Sequence, residues 1–180
     1  MKNNFTSLRI TAGELKGREI KSPENSKTHP MGSRERLALM NIIGPDIKGA
    51  TILDAFSGTG AIGIEALSRG AKQVTFIEKN PKVANLLMEN LQNLNLMNQA
   101  KVLEDDVTKM ELVIDYDFVI ADPPYDGIDK IKPEVFEKLA KLAKKYFILS
   151  HPATFDPHSL GLKIIATKSY AAARITLFTF

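Results

Sequence analysis

Residues 51–63 read T-I-L-D-A-F-S-G-T-G-A-I-G, in which a short apolar run passes through a glycine-rich turn into small helix-forming residues. This pattern predicts a buried strand over residues 51–55 and a helix over residues 61–68, joined by a loop. Three glycines in it have the G-x-G-x-x-G spacing that lets backbone approach a cofactor closely. They are Gly58, Gly60 and Gly63. The stretch therefore predicts a cofactor pocket at the carboxyl end of the first strand of an α/β sheet.

The chain from residue 50 onward alternates between strand patterns and helix patterns. Further strands are predicted over residues 73–78, 100–103, 118–121 and 146–150, further helices from residue 81 and over residues 133–145, and a terminal hairpin over residues 163–167 and 174–180. Such alternation is typical of a mostly parallel sheet with helices on both faces.

The residues before this pattern predict a small extension. Residues 8–20 alternate loosely and predict a β-hairpin, residues 22–32 lack periodicity, and Ser33 is expected to cap a helix over residues 34–43. We therefore expect a basic N-terminal extension over residues 1–48 and a cofactor-binding domain over residues 49–180.

The net charge of +3 is unevenly distributed. Residues 1–49 hold nine Lys and Arg against five Asp and Glu, a local charge of +4. A basic front end is typical of a surface that binds a polyanion, although a solvated hairpin would have the same composition. Lys16 and Arg18 flank the predicted hairpin turn. Arg34 and Arg36 fall in the first turn of a helix, where cations oppose the helix dipole, which indicates a phosphate partner.

Composition excludes several classes of protein. The chain has 180 residues, 44% of them hydrophobic, which is enough for one main α/β domain with a core. The absence of cysteine excludes disulfides, thiolate metal sites and a cysteine nucleophile, and three scattered histidines do not indicate a metal site. No run approaches the ~18 apolar residues of a membrane span, and the polar start does not resemble a signal sequence. We expect a soluble, cytoplasmic protein that needs no metal.

Carboxylates at the strand ends indicate which cofactor the pocket takes. Glu78 lies about twenty residues after the glycines, as in a nicotinamide-dinucleotide site, where it would bind ribose hydroxyls. S-adenosylmethionine fits the same residues, since Asp54 would attract its ammonium group but repel a pyrophosphate. Asp106 is expected to reach the adenine amino group, and Phe56 and Ile77 to wall the adenine. The charge of Asp54 favours S-adenosylmethionine.

A second stretch, A-D-P-P-Y at residues 121–125, ends the strand predicted over residues 118–121, because two prolines remove backbone donors. Asp-Pro-Pro is also an ordinary turn sequence. Next to a methyl donor, however, the Asp122 carboxylate and the Pro123 carbonyl can each accept one hydrogen of a nucleobase amine. Tyr125 offers a ring on which the base can stack. This arrangement predicts methylation of an exocyclic amine on a base that is flipped out or single-stranded.

Several stretches together resemble the bacterial small-subunit rRNA guanine-N2 methyltransferases of the RsmD type. The resemblance is carried by R-I and K-G-R in the hairpin, by the residues around Arg34 and Arg36, by L-D-A-F-S-G-T-G-A-I-G-I-E-A-L-S-R-G-A at residues 53–71, by F-I-E-K-N at residues 76–80, and by A-D-P-P-Y. It covers nearly the whole chain.

The resemblance implies a class I Rossmann-like methyltransferase with a mostly parallel seven-stranded sheet. It further implies a monomer that uses S-adenosylmethionine to methylate a guanine of 16S rRNA or of the assembling small subunit.

 The residues that it assigns to the cofactor are Asp54, Phe56, Ser57, Gly58, Thr59, Gly60, Glu78, Lys79, Asp106 and Asp122. It assigns catalysis to Asp122, Pro123, Pro124 and Tyr125, and RNA contact to Arg9, Lys16, Arg18, His29, Arg34 and Arg36. The chain departs from the family pattern at His29, Met31, Asp105 and Ala171.

Two other functions are compatible with the same residues. An amino-methyltransferase acting on adenine or cytosine of another RNA or DNA would use the same Asp-Pro-Pro-Tyr chemistry, although such DNA enzymes usually carry a further recognition domain. A catalytically silent RNA-binding assembly protein would keep the fold, but it has no need of the complete A-D-P-P-Y stretch.

Overall fold

A computed structural model describes residues 5–23, 31–170 and 173–179 of the chain. Its strands are β1 (Phe5–Arg9), β2 (Glu19–Pro23), β3 (Thr51–Asp54), β4 (Gln73–Ile77), β5 (Ala100–Leu103), β6 (Tyr116–Ala121), β7 (Ala143–Pro152), β8 (Lys163–Tyr170) and β9 (Ala173–Thr179). Its α-helices are α1 (Ser33–Ile43), α2 (Ala61–Ser68), α3 (Pro81–Asn93) and α4 (Pro133–Lys141).

Seven strands form one sheet in the order β5-β4-β3-β6-β7-β9-β8, and β1 and β2 form a separate antiparallel pair. The five strands from β5 to β7 in this order are parallel, whereas β9 is antiparallel to both of its neighbours. The predicted fold, a mostly parallel seven-stranded sheet with a small N-terminal hairpin and helix, is confirmed.

The order of the sheet places two loops side by side. From β3 the chain moves outward to β4 and β5, and then returns to the other side of β3 as β6. Asp54, the last residue of β3, is in register with Ile120 of β6. The glycine-rich loop and the A-D-P-P-Y stretch therefore both leave the sheet at this switch point, which is where open α/β sheets bind ligands.

Each face of the sheet has its own apolar core. On one face, Leu39 of α1, Ile64 of α2 and Leu87 of α3 pack on the sheet. On the other face, Phe136 and Leu139 of α4 pack on the sheet. The helices cover both faces, as alternating strands and helices predict.

The hairpin is part of the first of these cores. Ile10 and Ile20 are buried in it, and the turn between β1 and β2 lies against the end of α2. Gly13 has a φ of +84°, and an ideal Cβ there would lie 1.8 Å from the Ser68 carbonyl oxygen. Only glycine permits so close an approach, so the hairpin docks tightly on the main domain.

The end of α4 and the start of α1 are among the element boundaries that differ from prediction. The helix predicted over residues 133–145 ends at Lys141, and β7 begins already at Ala143, because Ala143 pairs with Tyr116 of β6. Strand pairing overrides the helix propensity of the sequence A-K-K. Ser33 lies inside α1, and Gly32 occupies the N-cap position without a side-chain hydrogen bond.

The described helices include none that is both long and apolar enough to cross a membrane.

Candidate active site

The loop after β3 is fastened to the ends of two strands. The Ser57 hydroxyl donates to the Asp54 carbonyl oxygen at 2.7 Å and accepts the Ile77 N–H at 2.9 Å, which joins the ends of β3 and β4. The Gly58 N–H donates to Glu78 Oε2 at 2.9 Å. These contacts attach the first part of the loop, at Ser57 and Gly58, to the ends of β3 and β4.

Gly60 turns this loop into α2. Its φ of +85° is left-handed, and an ideal Cβ there would lie 2.3 Å from Leu87 Cδ1 of α3. A side chain at this position would strain the backbone and displace the buried Leu87 side chain. The glycine therefore allows the N-terminus of α2 to face the cofactor pocket.

Asp54 is a fully buried carboxylate that is incomplete, in the sense that one of its two oxygens has no hydrogen-bond partner in the described structure. Its Oδ2 accepts the Gly63 N–H at 3.1 Å, and its Oδ1 has no partner among the residues that the structure describes. The pKa of Asp54 is raised to about 7, with burial as the main cause; the Gly63 N–H opposes the rise, and the charges of Asp122 and Glu78 add to it. A buried carboxylate of this kind is stabilised by a cation or a donor that completes it. The ammonium group of S-adenosylmethionine fits this requirement, and a pyrophosphate does not.

The other predicted cofactor residues lie near the carboxyl ends of β3, β4 and β5. Phe56 is half-buried and packs on the second core, and Thr59 is buried beside it in the loop. Lys79 is exposed, and its charge contributes to lowering the pKa of Asp106. The main cause of that lowering is the Thr108 hydroxyl, which donates to Asp106 Oδ1 at 2.7 Å.

Asp122 lies directly after β6, beside the incomplete Asp54. Its surroundings shield the carboxylate from water and raise the pKa of Asp122 to about 6, whereas a hydrogen bond from the Ser150 hydroxyl opposes the rise. Ser150 lies on β7 and is fully buried, and its hydroxyl is also 3.0 Å from the Tyr125 hydroxyl. The structure thus joins Asp122, Ser150 and Tyr125 in one polar cluster.

The two prolines shape the turn that carries this cluster. Pro123 is buried and Pro124 is exposed, and the Pro124 carbonyl accepts the Gly127 N–H at 3.0 Å. The turn leads into a short 3-10 helix, Tyr125–Lys130. Burial raises the pKa of the Tyr125 phenol, and the charges of Asp122 and Glu35 add to this, so the phenol stays neutral and can donate. Glu35 of α1 therefore lies close enough to influence the cluster.

Four of the predicted RNA-binding residues are exposed. Arg9, Lys16 and Arg18 belong to the hairpin, and Arg34 lies in the first turn of α1. Arg9 faces Glu19 at 3.7 Å in an exposed ion pair, which is a weak interaction. His29 lies outside the described residues.

Arg36 is not exposed, and its prediction as an RNA contact is wrong. The side chain is fully buried and pairs with Glu65 of α2 at 3.3 Å. It also donates to the carbonyl oxygens of Met31, at 3.2 Å, and Arg9, at 2.6 Å. Its partner is thus a buried carboxylate on α2 rather than a phosphate.

Glu65 holds the extension to the main domain. Its carboxylate accepts hydrogen bonds from the Thr11 N–H, the Thr11 hydroxyl, the Ala12 N–H, Arg36 and Arg69. Burial alone would raise the pKa of Glu65, but the donors at Thr11 and the two arginines lower it overall. Nothing in the sequence marked this role, because the partners lie 53 and 54 residues away along the chain at Ala12 and Thr11.

Two further residues of the site were missed from the sequence. Ser150 carries no local signal, since a serine in an apolar strand is compatible with many roles. Asn90 of α3 is 2% exposed and joins the hairpin to the glycine-rich loop. A buried asparagine on the apolar side of an amphipathic helix was the one available signal. Within the described residues, no group of three or more His, Asp or Glu could hold a metal ion.

Comparison with known proteins identifies relatives over nearly the whole length of the chain. The family model described as "Conserved hypothetical protein 95" matches residues 8–179. The "Putative rRNA methyltransferase YlbH" of Bacillus subtilis is 30% identical over 147 residues, which are 79% of this chain and 77% of the relative. The "Ribosomal RNA small subunit methyltransferase D" of Haemophilus influenzae is 38% identical over 123 residues, 66% of this chain and 64% of that relative.

A solved structure has the same fold. The "Putative methyltransferase yhhF from Escherichia coli" superposes with a TM-score of 0.81 at 25% identity, over 96% of this chain and 97% of that one.

Proposed function

This chain belongs to the Conserved hypothetical protein 95 family, the RsmD-type methyltransferases, and we propose that it methylates the exocyclic N2 amine of a guanine in small-subunit rRNA. The methyl donor is S-adenosylmethionine. One observation carries the proposal: β3 and β6 are neighbours in register, so Asp122 with its amine-accepting turn lies beside the incomplete Asp54. The relatives named as rRNA methyltransferases support rRNA as the substrate class.

The chain's own residues would hold the donor at the carboxyl ends of β3, β4 and β5. Asp54 Oδ1 takes the ammonium group, Glu78 the ribose hydroxyls and Asp106 the adenine amino group, while the loop over residues 56–60 and Lys79 line the pocket. S-adenosylmethionine supplies an electrophilic methyl group on its sulfonium. The Ser57 and Glu78 hydrogen bonds hold the start of the loop, so that less order has to be gained there on binding.

Asp122 and Pro123 orient the amine for attack. The Asp122 carboxylate accepts one N2 hydrogen and the Pro123 carbonyl the other, which draws the nitrogen toward tetrahedral geometry and makes its lone pair less delocalised into the ring. Asp122 also stabilises the positive charge that develops on N2. After the carbon–nitrogen bond has formed, Asp122 can take the departing N2 proton, since its pKa of about 6 is raised by its shielded position. Tyr125 stacks on the base, and Pro124 holds the turn.

The exposed cations of the extension would bind the phosphates around the target. Arg9, Lys16, Arg18 and Arg34 supply this charge, together with His29. The division into an RNA-contacting extension of residues 1–48 and a catalytic domain of residues 49–180 belongs to the same proposal. The cytoplasm is the compartment in which such a substrate is assembled, and a monomer without a metal suffices for the reaction.

The test is methyl transfer to rRNA by wild-type protein and by Asp122→Asn. Loss of the carboxylate should lower kcat by about 10²- to 10³-fold, by analogy with the removal of one transition-state partner. Binding of S-adenosylhomocysteine should stay within about twofold. Mass mapping of the product gives the base and the atom at once. Methylation of an adenine or cytosine would contradict the guanine assignment, and full turnover by the variant would contradict the role of Asp122.

A further inference from the structure

Asn90 of α3 bridges two parts of the molecule that the proposed function keeps separate. Its Oδ1 accepts the Lys21 N–H at 3.0 Å, and its Nδ2 donates to the Lys21 carbonyl oxygen at 3.0 Å. The same Nδ2 donates its second hydrogen to the Thr59 carbonyl oxygen at 3.1 Å. Lys21 belongs to β2 of the hairpin, and Thr59 lies between the two glycines of the cofactor loop. The buried Asn90 amide therefore contacts both the hairpin and the cofactor loop.

The hydrogen bonds of this amide fix its position relative to both partners. An asparagine side chain has two donor hydrogens, and both are used here. Movement of β2 by even an ångström would lengthen the bonds to Lys21 or pull Nδ2 away from Thr59. The Thr59 carbonyl precedes Gly60, whose left-handed backbone sets the direction in which α2 begins. A change in the position of β2 would therefore change the backbone conformation of the cofactor loop at Thr59.

A second attachment keeps the hairpin from swinging independently. The Leu15 N–H donates to the Ser68 hydroxyl at 3.0 Å, and that hydroxyl donates to the Ala12 carbonyl oxygen at 2.7 Å. The turn of the hairpin is thereby fixed to the end of α2, and β2 is fixed to α3. These two helices flank the cofactor loop, so a displacement of the hairpin is transmitted to the loop through both α2 and α3.

We propose that Asn90 is a positioning residue that couples binding of RNA on the hairpin to binding of the methyl donor in the loop. The coupling rests on the proposed function, because it requires that the hairpin cations contact rRNA. RNA that draws the hairpin onto its phosphates favours the docked position of β2, and Asn90 then holds the Thr59 carbonyl in the cofactor-binding position. By thermodynamic reciprocity, the bound cofactor strengthens RNA binding by the same factor.

The experiment measures the affinity for S-adenosylhomocysteine by calorimetry, with and without saturating small-subunit rRNA transcribed in vitro. In the wild type, RNA should tighten this affinity by about fivefold or more, the lower end of ordinary allosteric coupling. Asn90→Asp keeps the acceptor for the Lys21 N–H but loses both donations, so its ratio should fall to about one. Its KM for S-adenosylmethionine should rise while kcat at saturation stays near the wild-type value.

Asn93→Ala is the matched control. It lies one turn further along α3 and is exposed, and only its backbone carbonyl is used, as the acceptor of Arg18 at 3.0 Å. This variant should keep the wild-type ratio. A second measurement needs no variant: hydrogen exchange of residues 57–60 in the wild type should slow when rRNA alone is added.

A wild-type ratio of one, or an Asn90→Asp ratio equal to that of the wild type, would overturn the coupling. Unchanged exchange in the loop on addition of RNA would do the same. These results differ from failure of the proposed function, in which the wild type would not methylate rRNA at all. Methylation that proceeds with RNA-independent cofactor affinity would remove the coupling and leave the function standing.

Discussion

Asp54 and Glu65 are two fully buried carboxylates on the same side of the sheet, and they have opposite surroundings. Glu65 accepts five hydrogen bonds, two of them from arginines, and its pKa is lowered although burial alone would raise it. Asp54 accepts one at its side chain, leaves Oδ1 without a partner in the described structure, and has a pKa raised to about 7 by burial.

The difference is one of role: Glu65 is paired within the protein and holds its parts together, whereas Asp54 has an oxygen that a ligand can pair. Removal of a buried charge that the protein has paired leaves its partners unpaired, which destabilises the fold. A buried charge that the protein has not neutralised costs stability until something binds. The two residues therefore predict opposite responses to the same kind of substitution.

Replacing Glu65 should have the largest effect on stability. Glu65→Ala leaves Arg36 as a buried, unpaired cation and removes acceptors from Thr11 and Ala12, so the free energy of unfolding should fall by about 3–5 kcal/mol. Urea denaturation measures this change. The double variant Glu65→Ala with Arg36→Met should recover part of the loss, because no charge is left buried. A loss below about 1 kcal/mol in the single variant would show that Glu65 does not hold the extension.

Replacing Asp54 should weaken binding of the cofactor and raise the stability of the ligand-free protein. Asp54→Asn removes the partner of the cofactor's ammonium group, so the affinity for S-adenosylhomocysteine should fall by about 100-fold, or ~2.7 kcal/mol. The ligand-free variant should melt at a higher temperature than the wild type at pH 8, because it no longer buries a charge. A gain of about 1 kcal/mol corresponds to a shift of about 2–4 °C. A lower melting temperature would mean that Asp54 is already neutralised in the free protein.

The pH dependence of the two carboxylates should have opposite signs. The folded pKa of Asp54 is raised to about 7, so its contribution to stability is present at low pH and is lost as the pH rises through about 7. The folded pKa of Glu65 is lowered, so its contribution is present above its unfolded value of 4.5 and is lost as the pH falls through the folded pKa.

Cofactor binding should report the Asp54 titration directly. Because the ligand's ammonium group prefers the ionised form, affinity for S-adenosylhomocysteine should rise about tenfold between pH 6 and pH 8, as expected for one group with a pKa near 7. Calorimetry at both pH values measures the rise. Asp54→Asn should abolish it, and an equal rise in that variant would assign the titration to another group.

Replacing Ser150 should have the smallest effect. Ser150 contacts Asp122, a carboxylate that is intermediate between the fully paired Glu65 and the incomplete Asp54. Its hydroxyl opposes the raised pKa of Asp122, so Asp122 is partly satisfied by the protein. Ser150→Ala should raise the pKa of Asp122 and move the acidic limb of the kcat profile to higher pH, with a loss of a few fold at pH 7. Ser150→Thr keeps the hydroxyl and is the control. A profile that keeps its midpoint in Ser150→Ala would leave Ser150 with a packing role only.

The sequence predicted the parts of this molecule that depend on local pattern. The order of strands and helices follows from apolar periodicity, and the loop residues of the site follow from glycine spacing and from carboxylates at strand ends. The switch point then brings Asp54 and Asp122 together, because parallel strands end at the same edge.

The parts that the sequence did not predict depend on contacts between distant residues. Arg36 and Arg34 lie in the same helical turn, yet only the fold decides which of them meets Glu65 and which meets solvent. Ser150 has no pattern of its own, and the place of Asn90 on the apolar side of α3 does not indicate its partners, which come from other elements. The end of α4 was misplaced for the same reason, since its position depends on pairing with β6.

The close approach of Gly13 to Ser68 also bears on how the chain is made. Every contact that docks the hairpin on α2 and α3 joins residues that are 53 to 75 positions apart in the sequence. During synthesis the ribosome must therefore add α2 and α3 before residues 5–23 can dock. The hairpin is synthesised before α2 and α3, so Ile10 and Ile20 lack these contacts during this interval, and docking of the extension is timed by the synthesis of the helices that it rests on.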